Sequence, residues 1–165
     1  MKKRWISLYV ENQIGVLAKI SGLFSGKSYN LDSLTVGTTE DESISRMTIS
    51  ITSDDKTFEQ VKKQLNRCVE VIKVMDFTTI PINMKELLFI KIKHLSREEK
   101  TEVFEIAKVF DCSISDYGID SLLLECVKTE EKNNDIIKLI KKQFKSIEVV
   151  RGGGVAIESI SMGDK

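Results

Sequence analysis

Asn12 and Gly15, in the run Val10-Glu11-Asn12-Gln13-Ile14-Gly15-Val16-Leu17, are the residues whose types and spacing come nearest to doing chemistry. An asparagine amide carries both donors and an acceptor, while a glycine reaches positive φ and lets backbone approach a ligand. Helical apolar spacing begins directly after them. They therefore stand at the first turn of a helix, where unpaired N–H groups and the positive end of the helix dipole face outward. The chemistry this offers is capture of a small carboxylate. The same two residues also suit an ordinary strand-to-helix turn, and spacing alone leaves both readings open.

Other reactive residue types are present without a pattern that would use them. His94 is the single histidine and has no cysteine beside it, so it reads as a surface or partly packed residue. Cys68, Cys112 and Cys126 form no C-x-x-C pair, and an odd count of three argues against a disulfide framework and a zinc site; they read as core fillers in a reduced cytoplasm. No serine lies in a G-x-S-x-G elbow, and no second histidine could serve as a base. Lys138, Lys141, Lys142 and Lys145 fall in the last turns of a helical pattern and read as a solvated face that complements the dipole. Gly152-Gly153-Gly154 lacks the phosphate-loop pattern and reads as a flexible turn.

The elements that must position Asn12 and Gly15 follow from apolar periodicity. Residues 4–11 alternate, with Ile6, Leu8 and Val10 on one face, and Val16, Leu17, Ile20, Leu23 and Phe24 then recur at helical spacing until Gly26. Strands at 30–38 and 44–53 flank an acidic turn, a helix at 55–67 buries Phe58, Val61 and Leu65, and a strand at 70–78 follows. The only proline, Pro81, marks a linker at 79–84. The pattern then starts again. A strand at 86–94 leads to a helix opened by the capping box Ser96-Arg97-Glu98-Glu99, followed by strands at 112–117 and 120–127, a helix at 131–145 and a strand at 147–151. The expected fold is α+β, two ferredoxin-like βαββαβ domains in tandem, 1–79 and 80–165, each with two helices on one face of an antiparallel sheet.

With 165 residues the chain supplies two thin cores, and exposed sheet edges make pairing between copies a natural remedy. Twenty-five basic residues balance twenty-five acidic ones, so no overall field draws in nucleic acid or an anionic membrane. The basic start is followed by Ser7, Glu11, Asn12 and Gln13 before any signal-peptide core develops, and no apolar run has transmembrane length.

The segment from Val10-Glu11-Asn12 through Asn30 closely resembles the opening of the small, regulatory subunit of acetolactate synthase. Ser33-Leu34-Thr35-Val36, Ser45-Arg46-Met47-Thr48-Ile49, Gln64-Leu65-Asn66-Arg67 and Val69-Glu70-Val71-Ile72-Lys73-Val74 extend the resemblance. Two stretches depart from the family: Arg151-Gly152-Gly153-Gly154 stands for Arg-Thr-Gly or Arg-Ser-Gly, and Met162-Gly163 for a closing Arg-Gly. The resemblance implies that 1–79 is an ACT domain, dimeric and binding valine between two copies, and that 80–165 is the family's C-terminal domain. It places Asn12, Gln13, Ile14, Gly15, Val16, Leu17 and Asn30 in the effector site. N–H groups of 14–17 would hold the carboxylate, the amides of Asn12 and Asn30 the polar end, and aliphatic side chains the branched tail. It further implies a catalytic large subunit as partner. That subunit would carry thiamine diphosphate, Mg and FAD, with no cofactor, metal or catalytic residue here. The chain would activate it in branched-chain amino acid biosynthesis and confer valine feedback.

A stand-alone amino-acid sensor acting on another enzyme or a transcription factor is the alternative. A ferredoxin-like RNA binder is disfavoured because the central strands lack the aromatic pair such domains stack on bases.

Overall fold

The alternation of Ile6, Leu8 and Val10 becomes strand β1 (Lys2–Glu11) in the computed structural model, which describes residues 1–25 and 30–160. All three side chains are fully buried. Helix α1 (Val16–Ser25) turns Val16, Ile20 and Phe24 onto the same core and leaves Leu17 on its outer side. Strands β2 (Leu31–Thr38) and β3 (Ile44–Ser53) follow, then helix α2 (Asp55–Leu65) and strand β4 (Val71–Asp76). Asp54 caps α2 by accepting the Thr57 N–H at 2.7 Å, which satisfies one of the helix's orphan donors. The four strands form one antiparallel sheet in the order β2-β3-β1-β4, so β2 and β4 are its edges. Phe58, Val61 and Leu65 of α2 join Met47, Ile49 and Ile51 of β3 in the core. The end of α1 expected at Gly26 lies outside the described residues.

The second unit repeats this order. Strand β5 (Ile82–Ile92), helix α3 (Arg97–Phe110), strands β6 (Ser113–Tyr117) and β7 (Leu122–Lys128), helix α4 (Glu130–Gln143) and strand β8 (Ile147–Glu158) give a sheet in the order β6-β7-β5-β8. The expected capping box is formed: Ser96 accepts the Glu99 N–H while Glu99 reaches back to the Ser96 N–H. Leu88, Ile90, Ile92, Val103, Leu122, Leu124, Ile136 and Ile140 make a core of their own. Each such side chain contributes ~1.5–3 kcal/mol on burial. The architecture is thus α+β, two βαββαβ units in tandem.

Three expectations need correction. Strand β5 begins at Ile82, inside the span read as a linker, and ends at Ile92, so His94 lies beyond it. His94 adopts a left-handed backbone, φ 59°, with an exposed side chain paired loosely to Asp120 at 3.5 Å. Gly152-Gly153-Gly154 is not a flexible turn but the middle of β8, which runs on from Ile147 to Glu158. Gly153 sits at φ 81°, an angle open to glycine, and without side chains to bury these residues give no apolar period to read.

Strand β8 serves both units. The chain divides into Met1–Asn83 with the stretch from Gly154 onward, and Met84–Gly153. In the first unit, the returning segment is held by Thr35 Oγ1 donating to the Gly154 carbonyl at 3.0 Å and by the Ala156 N–H donating to Thr48 Oγ1 at 3.4 Å. Arg46 pairs with Glu158 at 2.8 Å, and the Ser159 N–H donates to the Pro81 carbonyl at 2.9 Å.

Candidate effector site

The end of β1 and the β2–β3 hairpin are stitched together where the candidate loop begins. The Asn12 N–H donates to the Ser43 carbonyl at 2.7 Å, and its side-chain Nδ2 donates to the Glu42 carbonyl at 2.8 Å. One of the two Asn12 amide N–H donors is therefore committed to the hairpin, and Oδ1 and the second N–H are left to face a ligand. An acceptor there suits an ammonium group better than a carboxylate. The sequence marks the hairpin as the loop's anchor only slightly, by an acidic turn that follows an asparagine thirty residues on.

Gly15 opens α1 with φ 88°, and its carbonyl accepts the Lys19 N–H at 2.9 Å as the first helical bond. An added Cβ would meet nothing within 4 Å, so the space over this glycine is open. The Val16 N–H is directed to the Gln13 carbonyl at 3.3 Å, while among the described residues no partner takes the N–H groups of Ile14, Gly15 and Leu17. The expectation for 14–17 narrows accordingly. The Val16 side chain is buried in the core, so it cannot line a site. Ile14 is fully exposed and Leu17 is 44% exposed, and both stand beside the open backbone. Gln13 is exposed.

Charge around the loop is arranged in local pairs. Lys19, one turn into α1, binds Glu70 at 2.5 Å; this hydrogen bond raises the lysine's pKa and lowers the carboxyl's. Glu70 Oε2 is buried without a hydrogen-bond partner among the described residues. Asp41 in the hairpin accepts from the Ser43 hydroxyl and N–H, which holds its carboxyl below its usual range. The mouth of the loop thus combines unspent N–H donors, an amide acceptor and carboxylates, the complement of a small zwitterion with an apolar tail.

Asn30 is not part of this cluster. It precedes Leu31, which pairs with Ile51 of β3, whereas the candidate loop follows Glu11, which pairs with Ile44. From Ile44 to Ile51 along β3 is roughly 24 Å, so Asn12 and Asn30 stand at opposite ends of one sheet. One copy of the chain does not bring them together. Strand β2 is an edge, and antiparallel pairing of β2 with β2 of a second copy would set the Asn30 end of one against the Asn12 end of the other.

Among the described residues no cluster of three or more His, Cys, Asp or Glu could hold a metal ion, and no helix is long and apolar enough to cross a membrane. The four lysines of the last helical pattern are exposed, as a solvated face requires.

Comparison with known proteins agrees with the tandem fold. Residues 6–73 match the family described as the AHAS small subunit-like ACT domain, and residues 85–160 match the one described as the small subunit of acetolactate synthase. A probable acetolactate synthase small subunit of Archaeoglobus fulgidus is 41% identical over 94% of this chain and 96% of its own length. The acetolactate synthase small subunit of Aquifex aeolicus is 40% identical, over 95% of this chain and 81% of its own. The crystal structure of the Thermotoga maritima acetolactate synthase small subunit superposes with a TM-score of 0.84 at 31% identity, covering 96% of this chain and 98% of that one.

Proposed function

Since this chain belongs to the acetolactate synthase small-subunit family, we propose that it activates the catalytic large subunit and makes it sensitive to valine. Thiamine diphosphate, Mg and FAD would reside on that partner, in the cytoplasm. The chain acts as a homodimer through its first unit, and each effector site takes the Asn12–Leu17 loop from one copy and Asn30 from the other. The observation that carries this reading is Gly15 at φ 88°, which opens α1 with unspent N–H groups between the Asn12 Oδ1 and exposed Ile14 and Leu17. The ligand carboxylate meets the N–H groups, its ammonium meets amide and carboxylate oxygens, and its branched tail meets the aliphatic side chains. A ligand that favours one arrangement of the complex by ~1–3 kcal/mol changes activity about five- to 150-fold without touching the substrate.

The test is complementation in mixed dimers. Asn12→Ala and Asn30→Ala homodimers, each combined with the large subunit, should both lose valine inhibition of acetolactate formation. A dimer holding one copy of each variant keeps one intact site, so it should regain valine binding with half the wild-type stoichiometry. Inhibition that survives in both homodimers would remove the site. Loss without rescue would show that Asn12 and Asn30 do not act across a pair of subunits.

A further inference from the structure

We propose that Cys112 and Cys126 form an oxidation-responsive dithiol, closed to an intramolecular disulfide by a low-molecular-weight disulfide of the glutathione class. Their sulfurs lie 2.9 Å apart, closer than non-bonded sulfur atoms pack, and both are free thiols. The fold puts them there for identifiable reasons. Helix α3 ends on Asp111 in a left-handed conformation, φ 52°, which turns the chain back so that the Cys112 N–H donates to the Ala107 carbonyl at 2.8 Å. Strand β6 then pairs with β7 in a register that sets Ser113 opposite Glu125, and this carries Cys112 opposite Cys126. Directly opposed residues of an antiparallel pair have a Cα separation of about 4.5–5.5 Å, inside the range a disulfide spans. Lys128, two residues past Cys126, pairs with Asp111, the residue before Cys112, at 2.8 Å and fastens the same corner.

The two thiols are not equivalent, which sets the order of events. Cys126 is fully buried, and Cys112 is only partly so. Burial, then the hydrogen bond to Cys112, pushes the Cys126 thiol up and keeps it protonated. Cys112 is therefore the attacking group. Cys112 is the thiol a reagent can reach, being partly exposed, and the residue before it, Asp111, lines a cleft of about 400 Å³ with Phe110, Lys128 and Lys132. The Cys112 thiolate attacks one sulfur of glutathione disulfide, forming a mixed disulfide and releasing one glutathione. Cys126 then attacks the Cys112 sulfur, and the second glutathione leaves with the Cys126 proton. The protein dithiol loses two electrons, and the reagent is reduced to two thiols. Nothing in this step depends on the effector reading.

The experiment treats the full chain with glutathione disulfide, alkylates the remaining thiols under denaturing conditions, and measures intact mass and a peptide map. The expected product carries no glutathione, retains Cys68 as the one alkylatable thiol, and gives a Cys112–Cys126 cross-linked peptide that dithiothreitol abolishes. Cys68→Ser should close the same bridge, whereas Cys126→Ser should stop at a glutathione adduct on Cys112. Three alkylatable thiols after treatment, a lasting adduct on wild-type Cys112, or a bridge between chains would each overturn the proposal. The wild-type map decides the matter even where the serine variant fails to fold.

Discussion

Arg46 and Glu158 pair at 2.8 Å although 112 residues separate them, and the pair closes the first unit around a segment from the far end of the chain. The same guanidinium donates to Ser7 Oγ at 2.9 Å and lies 4.9 Å from the Tyr9 ring centre, so three elements converge on one side chain.

Glu158→Gln should loosen the returning segment by about 0.5–1 kcal/mol, because a partly exposed ion pair contributes little more than that. Burial is the largest single influence on Glu158 and pushes its carboxyl up. The hydrogen bond from Arg46, aided by a backbone bond and nearby cations, outweighs it and leaves the carboxyl below its ordinary 4.5. A depressed carboxyl stabilises fully above its unfolded value and ceases to do so as pH falls through the lower folded one. Protection of residues 154–158 against hydrogen exchange, taken relative to the intrinsic rate at each pH, should fall below about pH 4.5 in the wild type, and the Gln variant should lack that component.

Gly15→Ala should cost about 1–2 kcal/mol of stability, since a β-carbon at φ 88° strains the backbone even though no neighbour obstructs it. Thermal unfolding of the purified chain measures this. A neutral substitution would mean that the loop relaxes to negative φ.

Lys100→Met should destabilise the second unit by about 1–3 kcal/mol. Its buried ammonium donates to the Gly118 carbonyl at 2.6 Å and to the Ile119 carbonyl, and it sits 4.2 Å from the Tyr117 ring centre. Methionine fills the volume but leaves both carbonyls unserved. Denaturant unfolding gives the loss, and faster exchange at 117–121 locates it.

Glu86→Ala should cost about 2–3 kcal/mol, because it strips buried Asn133 and partly exposed Arg151 of a shared carboxylate at once. Arg151 can turn toward water, but Asn133, fully buried on α4, cannot. The unfolding midpoint in urea is the readout, and the first unit's exchange pattern should be unchanged.

What was legible in the sequence was whatever a local period carries. Ile6, Leu8 and Val10 announce a strand by alternation, Val103, Ile106 and Ala107 a helix face, and Ser96 with Glu99 the start of that helix. Gly15 was legible as a positive-φ position because so few residues accept one. Relationships that depend on register were not. Asn12 holds Glu42, and Cys112 faces Cys126, only because particular strands pair in particular alignments. The glycine run concealed a strand, since it buries nothing that could mark a face. Charged Glu86 was hidden for the opposite reason, as it sits on the apolar side of β5 where periodicity expects another Leu or Ile.

The position of Glu158 also sets an order of events during synthesis. The ribosome delivers residues 1–83 first and can let them collapse into a sheet with two helices, yet the groups of Thr35, Arg46 and Thr48 that receive Gly154–Glu158 must wait for some seventy further residues to be made. The first unit is therefore completed only after the second has been made, and a transcript cut short before the codon for Gly154 yields a product whose defect lies in its N-terminal sheet.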